Sequence, residues 1–425
     1  MMRHVRLLVL ALVVLSTVPA IGQRSAGGAL APDRLTRLDA LLQRYVDENR
    51  IAGAVALVLR DGRPAYERAF GWSDKEAGRR MTTETIFRIA SQTKAVTSAA
   101  ILVLVEEGRL ALMTPVSELI PAFEKTTVQA PGASEPVPAR RRITVFDLLT
   151  HTAGISYGTN THVSAQYQEK GLGPAAGYGW YTADKDEPVC QTMERLASLP
   201  FVAQPGEAWV YGYNTDILGC IVERASGMPL DRFVEARITG PLGMKDTRFF
   251  LPSEQRERLA AVYTAGPDGR ITRAPDGARG QGHYVDGPRR SFAGGAGLLS
   301  TARDYARFLE MVRRGGELDG VRVLAPRTVA LMTTNQIGTL HSPNGLGFSL
   351  AFETVDRYGA NSMGSVGSYG WSGAYGTRYH VDPDARLTMV LMLQVLPYSM
   401  DLREKFPNMV YQSLVETRTP VSEQR

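Results

Sequence analysis

Ser91-Gln92-Thr93-Lys94 opens a long apolar stretch with helical spacing that runs to Glu107, where Gly108 supplies a stop. Nowhere else in the chain does a serine stand three residues before a lysine. Residues i and i+3 share one face of a helix, so the Ser91 hydroxyl and the Lys94 amine would meet without help from the rest of the fold. Burial in such an apolar helix would push the amine toward its neutral, basic form. We therefore predict that Ser91 is a nucleophile and that Lys94 is its base.

The composition is that of an ordinary globular protein. With 425 residues and 44% apolar content, the chain can bury a substantial core in one large domain or two lobes. The formal net charge of +5 is small and scattered, and two of those charges belong to Arg3 and Arg6. The run Arg140-Arg141-Arg142 is more typical of a solvated turn than of a nucleic-acid patch. We therefore expect no nucleic-acid partner.

Residues 1–22 have the features of a secretory signal. Two arginines form a basic n-region, the apolar stretch 7–18 follows, and Ala20 and Gly22 suit cleavage before Gln23. This apolar stretch is shorter than the roughly 20 residues that a helix needs to span a bilayer. We predict that the signal is removed, that the mature chain has no integral membrane segment, and that the protein is periplasmic or secreted.

The chain has two cysteines, Cys190 and Cys220. Export would permit a disulfide between them, but Cys220 lies in the apolar stretch 217–222, which favours a buried free thiol. Neither cysteine has a neighbouring cysteine or histidine, so their spacing offers no metal site. The sequence predicts no metal and no cofactor.

Strand patterns occupy both ends of the chain, and helical patterns dominate the middle. This distribution predicts an α/β fold with a mostly antiparallel sheet flanked by helices, built from both chain ends, with an inserted mainly helical lobe. We place one domain at 23–425, its α/β part at about 30–90 and 297–415 and its helical lobe at about 91–296. The predicted strands are 53–59, 64–72, 345–352, 376–381 and 387–396, and the main flanking helices are 35–46, 301–312 and 401–414.

Two glycine-rich excursions interrupt the middle and later parts of the chain. The first, at 171–186, carries Tyr178, Trp180 and Tyr181, and the second spans about 266–297. Aromatic side chains in a glycine-rich loop more often cover a core or a pocket than float free. Whether these three cover the core or line a substrate site is open from the sequence, and we include them as candidate substrate-binding residues.

A second candidate motif lies about 120 residues after Ser91, in the stretch Trp209-Val210-Tyr211-Gly212-Tyr213-Asn214. A tyrosine hydroxyl near an ammonium group can have its pKa lowered enough to relay protons. Alone, a tyrosine in a Tyr-Gly-Tyr segment is a weak signal and is typical of a structural residue. Together with the Ser-x-x-Lys tetrad it makes Tyr211 a candidate acid/base.

These motifs resemble those of the serine β-lactamase and penicillin-binding-protein superfamily in its class C-like branch, and most of all the β-lactamase-like carboxylesterases of family VIII. The resemblance covers nearly the whole mature chain and implies a β-lactamase/transpeptidase-like fold. It implies that Ser91 is the acylated nucleophile, Lys94 its base and Tyr211 the partner acid/base. The stretches that carry it are 87–94 (FRIASQTK), 148–154 (LLTHTAG), 209–219 (WVYGYNTDILG), 241–244 (PLGM), 297–305 (GLLSTARDY) and 371–376 (WSGAYG).

Two departures from the family pattern bear on the substrate. The Tyr-x-Asn triplet of the superfamily has Tyr213 in its third place, so the Asn role is either lost or taken by Asn214. The third motif, Lys-Thr-Gly or His-x-Gly in the superfamily, is Trp371-Ser372-Gly373 here. The resemblance also implies that the backbone N–H of Ala374 joins that of Ser91 in an oxyanion hole.

Tryptophan in the third motif removes a cation. The Lys or His of that motif supports recognition of an anionic carboxylate, and an indole cannot supply the charge. The esterase branch tends to have tryptophan here, although a packing role on a strand would explain it too. We therefore expect neutral, apolar acyl substrates. The candidate substrate-binding residues are Trp371, Ser372, Gly373 and Asn214, besides the three aromatic residues above.

A different serine motif is present but fits its context poorly. The stretch Gly154-Ile155-Ser156-Tyr157-Gly158 matches the Gly-x-Ser-x-Gly nucleophile elbow, which requires a strand, a turn and a helix. The preceding residues 144–151 have helical spacing instead. We therefore interpret Ser156 as a bystander and His151 as a hydrogen-bonded structural histidine.

The leading hypothesis is a secreted serine hydrolase that cleaves small-molecule carboxylic esters with short acyl chains through a Ser91 acyl-enzyme. A D-Ala-D-Ala carboxypeptidase or a class C-like β-lactamase would use the same residues, and so would a transacylase. A catalytically silent binding protein that keeps the fold is the alternative from another class. The sequence leaves the oligomeric state and the physiological substrate open.

Overall fold

The computed structural model describes residues 30–172, 185–278 and 280–415. An eight-stranded sheet, antiparallel at every pairing, joins strands from both ends of the chain in the order β12-β13-β14-β15-β16-β1-β2-β3. The predicted fold class is therefore confirmed. The strands of this sheet are β1 (Gly53–Arg60), β2 (Arg63–Asp74), β3 (Arg79–Arg80), β12 (Leu346–Phe348), β13 (Glu353–Val355), β14 (Tyr369–Ser372), β15 (Arg378–Asp382) and β16 (Leu387–Met392).

Helices cover the sheet and fill the middle of the chain. The α-helices are α1 (Pro32–Asp47), α2 (Thr93–Glu106), α3 (Val116–Leu119), α4 (Val145–Leu149), α5 (Thr161–Glu169), α6 (Val189–Leu196), α7 (Asn214–Ser226), α8 (Leu230–Val234), α9 (Ala302–Arg313), α10 (Pro326–Thr333) and α11 (Leu402–Tyr411). Short two-stranded ladders pair β4 (Phe87–Arg88) with β9 (Leu299–Ser300), β5 (Thr127–Val128) with β6 (Val137–Pro138), β7 (Tyr263–Ala265) with β8 (Ile271–Arg273), and β10 (Glu317–Leu318) with β11 (Val321–Arg322). None of the helices in the described ranges is long and apolar enough to cross a membrane.

The two ends of the chain meet in the sheet. β1 is fully buried and pairs with β16 on one side and β2 on the other. The β1–β2 turn consists of Asp61 and Gly62, both at positive φ (54° and 75°), which suits the twist of a two-residue hairpin. On one face of the sheet α1 packs beside α11, their apolar sides sharing a core with β1 and β16.

Helix α2 runs through the interior and carries the lysine of the tetrad. Its residues from Thr93 to Leu104 are all buried, which fits the absence of a polar face in the sequence. The helix begins at Thr93 rather than at Ser91, because Ala90–Gln92 form a 3-10 turn that leads into it. Helix α7, which is buried over most of its length, packs against α2.

Cys190 and Cys220 form a disulfide that ties α6 to α7, with an S–S distance of 2.05 Å. The expectation of a buried free thiol was therefore wrong. The apolar neighbours of Cys220 correctly indicated burial, but a half-cystine in a core has the same neighbours. Only the packing of α6 on α7 brings the two Cα atoms to 5.0 Å.

Candidate active site

The nucleophile turn lies between a two-stranded ladder and helix α2. β4 pairs with β9, and the chain then enters the 3-10 turn Ala90–Gln92 that carries Ser91. Ala90, directly before the serine, has a φ of +45°, a left-handed conformation that costs free energy for a residue with a side chain. Ser91 is 7% exposed, so the turn presents it at the edge of the core rather than on the open surface.

The amine of Lys94 lies at the centre of the site, 4% exposed. Its Nζ donates to Ser91 Oγ at 3.3 Å, to Tyr157 Oη at 2.9 Å and to the carbonyl oxygen of Gly295 at 2.7 Å. The ring centroid of Tyr211 is 4.7 Å from the same Nζ. The juxtaposition of Ser91 and Lys94 expected from their spacing is thus present, and it includes a second tyrosine.

Tyr157 is a site residue that sequence reasoning missed. Its hydroxyl contacts Lys94, and its ring packs edge-to-face on Tyr211 and Tyr213, with centroids 5.6 and 4.8 Å apart. Burial, reinforced by Tyr211, raises the pKa of Tyr157 well above its usual value, so this hydroxyl stays protonated. Tyr157 is the fourth residue of the Gly-x-Ser-x-Gly match at 154–158, and the sequence-based prediction considered only the serine of that motif.

Ser156 itself lies outside the site. Its hydroxyl is buried and accepts a hydrogen bond from the backbone N–H of Gly158 at 3.1 Å. The preceding element is the helix α4, and no strand leads into the motif. The interpretation of this serine as a bystander agrees with its surroundings.

Tyr211 and Trp371 meet across the cavity. The indole Nε1 of Trp371 donates to the hydroxyl of Tyr211 at 3.2 Å.

Gly212, which follows Tyr211 in the chain, allows this segment to approach the neighbouring loop closely. A Cβ at position 212 would lie 2.2 Å from the carbonyl oxygen of Ile155, which no side chain could accommodate.

Ala374, the predicted partner of Ser91 in the oxyanion hole, lies just after the end of β14. Gly373 packs so closely on the nucleophile turn that a Cβ there would lie 2.4 Å from the carbonyl oxygen of Ile89. The carbonyl of Gly373 accepts from the N–H of Gly376 at 3.0 Å and from the guanidinium of Arg403. Because a trans peptide directs its C=O and N–H in opposite directions, the N–H of Ala374 points away from both donors. Ala374 itself lines the cavity beside Ser91.

Asn214 does not contact the cavity, contrary to the substrate-binding role predicted for it. It is fully buried, and its Nδ2 lies 2.9 Å from Nδ1 of His151 and 3.3 Å from the carbonyl oxygen of Ile155. Burial, with a contribution from Lys94, lowers the pKa of His151 well below its usual value, so the ring is neutral. The amide therefore fixes two loops behind the site. Its place at the start of α7, one position after the usual Asn, directs it inward.

A cavity of about 250 Å³ opens at the nucleophile. The described residues that line it are Ser91, Tyr157, Thr159, Tyr211, Trp371, Ser372, Gly373, Ala374 and Arg403. Five of the predicted site residues besides the serine are among them, whereas Tyr178, Trp180 and Tyr181 lie outside the described residues. A larger cavity of about 680 Å³, lined by residues between 229 and 298, contains none of the predicted site residues.

Arg403 is the second site residue that sequence reasoning missed. It lies in the first turn of α11, more than 300 residues from the serine, and its guanidinium carbon is 4.0 Å from the ring centroid of Tyr398. The third motif lacks a cation, as predicted, but the cavity does not. No local sequence pattern marks an arginine in a C-terminal helix as a site residue.

A buried serine hydroxyl next to a lysine amine, two tyrosine hydroxyls and backbone N–H groups can perform acyl transfer without histidine. The protein is a serine hydrolase. The model of the Beta-lactamase family matches residues 38–412, and the chain belongs to that family.

The names of similar proteins refer to two kinds of activity. Esterase EstB of Burkholderia gladioli is 34% identical over 84% of this chain and 89% of its own length. A putative D-alanyl-D-alanine carboxypeptidase of Escherichia coli K12 is 29% identical over 89% of this chain and 86% of its own length. Among solved structures, EstCE1, a hydrolase with promiscuous acyltransferase activity, superposes with a TM-score of 0.75 at 25% identity, covering 89% of this chain and 98% of that one.

Proposed function

We propose that the protein is a secreted hydrolase that cleaves carboxylic esters with short acyl groups through an acyl-enzyme on Ser91. One observation carries the proposal. The Lys94 amine lies within hydrogen-bonding distance of Ser91 Oγ, and the indole of Trp371 lines the cavity that opens at this serine. The name of Esterase EstB supports the same reaction.

In acylation, Lys94 acts as the base and takes the Ser91 proton while Oγ attacks the ester carbonyl carbon. The backbone N–H groups of Ser91 and Ala374 stabilise the negative charge that develops on the carbonyl oxygen. The C–O bond to the alcohol then breaks, and Tyr211 donates its proton to the departing oxygen. Lys94 passes the proton that it took from Ser91 to Tyr211. In deacylation a water molecule replaces the alcohol, and the same groups return the proton to Ser91.

The size and chemistry of the cavity support a small acyl group. A volume of about 250 Å³ is just below the usual range of ligand cavities, and three aromatic rings, those of Tyr157, Tyr211 and Trp371, form part of the wall. Such walls favour short apolar acyl chains over a peptide stem.

Export is supported by the basic and apolar stretches of residues 1–22 and by the disulfide, since such bonds persist in oxidising compartments. Expression of the full chain in a bacterium with a Sec system tests this part directly. We expect the periplasmic product to begin at Gln23 by intact mass, and retention of an uncleaved chain in the cytoplasm would contradict export.

The reaction is tested by comparing 4-nitrophenyl butyrate with a chromogenic cephalosporin, on the wild type and on Ser91→Ala. We expect kcat/KM for the ester to exceed that for the cephalosporin and to disappear with the serine. A cephalosporin rate above the ester rate would contradict the proposal in favour of a β-lactamase, and release of D-alanine from a D-Ala-D-Ala peptide would indicate a carboxypeptidase. Adding an alcohol acceptor to the ester assay measures transacylation.

A further inference from the structure

A buried carboxyl group that takes no part in the proposed proton transfers lies behind the catalytic base. Asp216, in the first turn of α7, is fully buried, and its Oδ1 accepts a hydrogen bond from the backbone N–H of Gly295 at 3.0 Å. Hydrogen bonds donated to a carboxyl group favour its ionised form. Because a buried carboxylate is costly unless a positive charge compensates it, its place beside the site calls for a cationic neighbour.

Gly295 connects this carboxyl group to the amine of Lys94. The carbonyl oxygen of Gly295 accepts from Lys94 Nζ at 2.7 Å, the shortest of the three hydrogen bonds of that amine. A Cβ at position 295 would lie 2.5 Å from Asp216 Oδ2, so a side chain there would push the carboxyl group away. The carboxyl group and the amine therefore bind the same residue, one at its N–H and the other at its C=O.

Helix α2 fixes the same segment from a second side. The hydroxyl of Thr97, one turn after Lys94, donates to the carbonyl oxygen of Gly294 at 2.9 Å. Asp216 from α7 and Thr97 from α2 therefore hold the two glycines between the helices, with the carbonyl of Gly295 on the amine.

Three titratable side chains beside the amine and the carboxyl group stay neutral. Burial lowers the pKa of His151 well below its usual value, and burial raises the pKa of both Tyr157 and Tyr213 above the usual range. Tyr211, whose ring faces the amine, donates a proton in the proposed reaction. Among these groups, Asp216 is therefore the one that can balance an ammonium.

We propose that Asp216 is a positioning residue whose carboxylate holds the Gly295 carbonyl on the Lys94 amine. The same carboxylate is the counter-charge of the ammonium that forms when this amine takes the Ser91 proton. The inference rests on the proposed reaction at Ser91 and deepens it, because a fixed negative charge stabilises the positive charge that develops on the base during the attack.

The first test is the pH dependence of kcat/KM for 4-nitrophenyl butyrate in the wild type and in Asp216→Asn. Asparagine keeps the shape and an oxygen that can accept from the N–H of Gly295, but it removes the charge. The acid limb of this profile reports the essential base of the free enzyme. We expect the limb to move to lower pH by about one unit, a tenfold change in the protonation equilibrium, because the ammonium loses its counter-charge. A reduced rate with an unmoved limb would leave Asp216 a purely structural role and overturn the proposal.

NMR of the lysine side chains measures the same effect without catalysis. The chain has seven lysines, so labelling of lysine Cε with ¹³C gives few signals, and Lys94→Arg assigns the one from Lys94. We expect the titration midpoint of this signal to be lower by about one pH unit in Asp216→Asn than in the wild type. Equal midpoints would overturn the role of the carboxylate. If the ester is not cleaved, the proposed hydrolysis fails, and the midpoint still decides the role of Asp216.

Two control variants separate the charge from the position of the glycines. Asp304→Asn removes a matched carboxylate, because Asp304 is also buried in the first turn of a helix, α9, and accepts from the backbone N–H of Asp246 at 2.7 Å. Thr97→Val releases the glycines from α2 without changing a charge. We expect both variants to keep the wild-type midpoint, with a lower kcat/KM in Thr97→Val alone. A shift in either control equal to that in Asp216→Asn would overturn the proposal.

Asp216→Ser is the second neutral variant, measured in the same way if Asp216→Asn does not fold. We expect the same direction of shift, because serine also lacks the charge. Failure of both variants to fold would assign Asp216 to the stability of α7 and would overturn its role at the base.

Discussion

Replacing Tyr157 by phenylalanine removes one hydroxyl and keeps the ring. The Lys94 amine would lose its 2.9 Å contact and keep those to Ser91 and to the carbonyl of Gly295. A hydrogen bond to a charged group contributes about 1.5–3 kcal/mol, so loss of this one from the transition state would lower kcat/KM by about 10- to 150-fold. The ring contacts with Tyr211 and Tyr213 remain, so little change in KM is expected.

The assay is 4-nitrophenyl butyrate hydrolysis under stopped flow, which separates acylation from turnover, together with urea unfolding. Tyr213→Phe is the control, because Tyr213 is a buried tyrosine of the same cluster whose hydroxyl donates to the carbonyl of Leu172 at 3.2 Å rather than to Lys94. We expect a stability loss of about 0.5–1.5 kcal/mol in that control and acylation close to the wild type. Equal acylation rates in Tyr157→Phe and Tyr213→Phe would refute the idea that the Tyr157 hydroxyl acts on the amine.

Three further predictions concern the indole, the disulfide and a buried histidine. Trp371→Phe removes the N–H that donates to Tyr211, and kcat/KM for the ester should fall by about 2- to 12-fold; an unchanged value would leave the indole a packing role. The Cys190–Cys220 bond closes a loop with a sequence separation of 30, so its reduction should lower the unfolding free energy by about 3–4 kcal/mol, measured in urea with and without dithiothreitol. Burial lowers the pKa of His380 to about 4, below its unfolded value of about 6.5. The unfolded state therefore binds more protons between these pH values, and stability should fall by about 3 kcal/mol as the pH drops from 6.5 to 4. His380→Gln should flatten this part of the profile, and an unchanged slope would assign it to other groups.

Most of the fold could be predicted because its signals are local. The apolar stretch of β1, the strand pattern of β2 and the Asp61-Gly62 turn pair define a hairpin, and strand β16 follows a turn at Pro383. Pairing between the two chain ends also followed from the distribution of strand patterns. The disulfide could not be predicted, since whether two buried cysteines meet depends on how their helices pack.

The same difference between local and long-range contacts separates the site residues that could be predicted from those that could not. Ser91 and Lys94 are three residues apart on one turn, so their contact is local and the sequence contains it. Tyr157 and Arg403 reach the cavity through loop and helix packing over 63 and more than 300 residues, and no spacing rule covers such contacts. Asn214 was predicted from a local motif but lies one position after the Asn of the family triplet. Its side chain is buried in the core and does not reach the cavity.

The claim that everything else depends on is the covalent intermediate on Ser91. Intact mass spectrometry after incubation with a fluorophosphonate, and after rapid acid quenching with 4-nitrophenyl butyrate, measures it directly. We expect one phosphonyl or one butyryl adduct on the wild type, mapped to the peptide containing Ser91, and none on Ser91→Ala. Ester turnover by Ser91→Ala, or an adduct mapped to Ser156, would contradict the account, and a wild type without any adduct would indicate a silent member of the family.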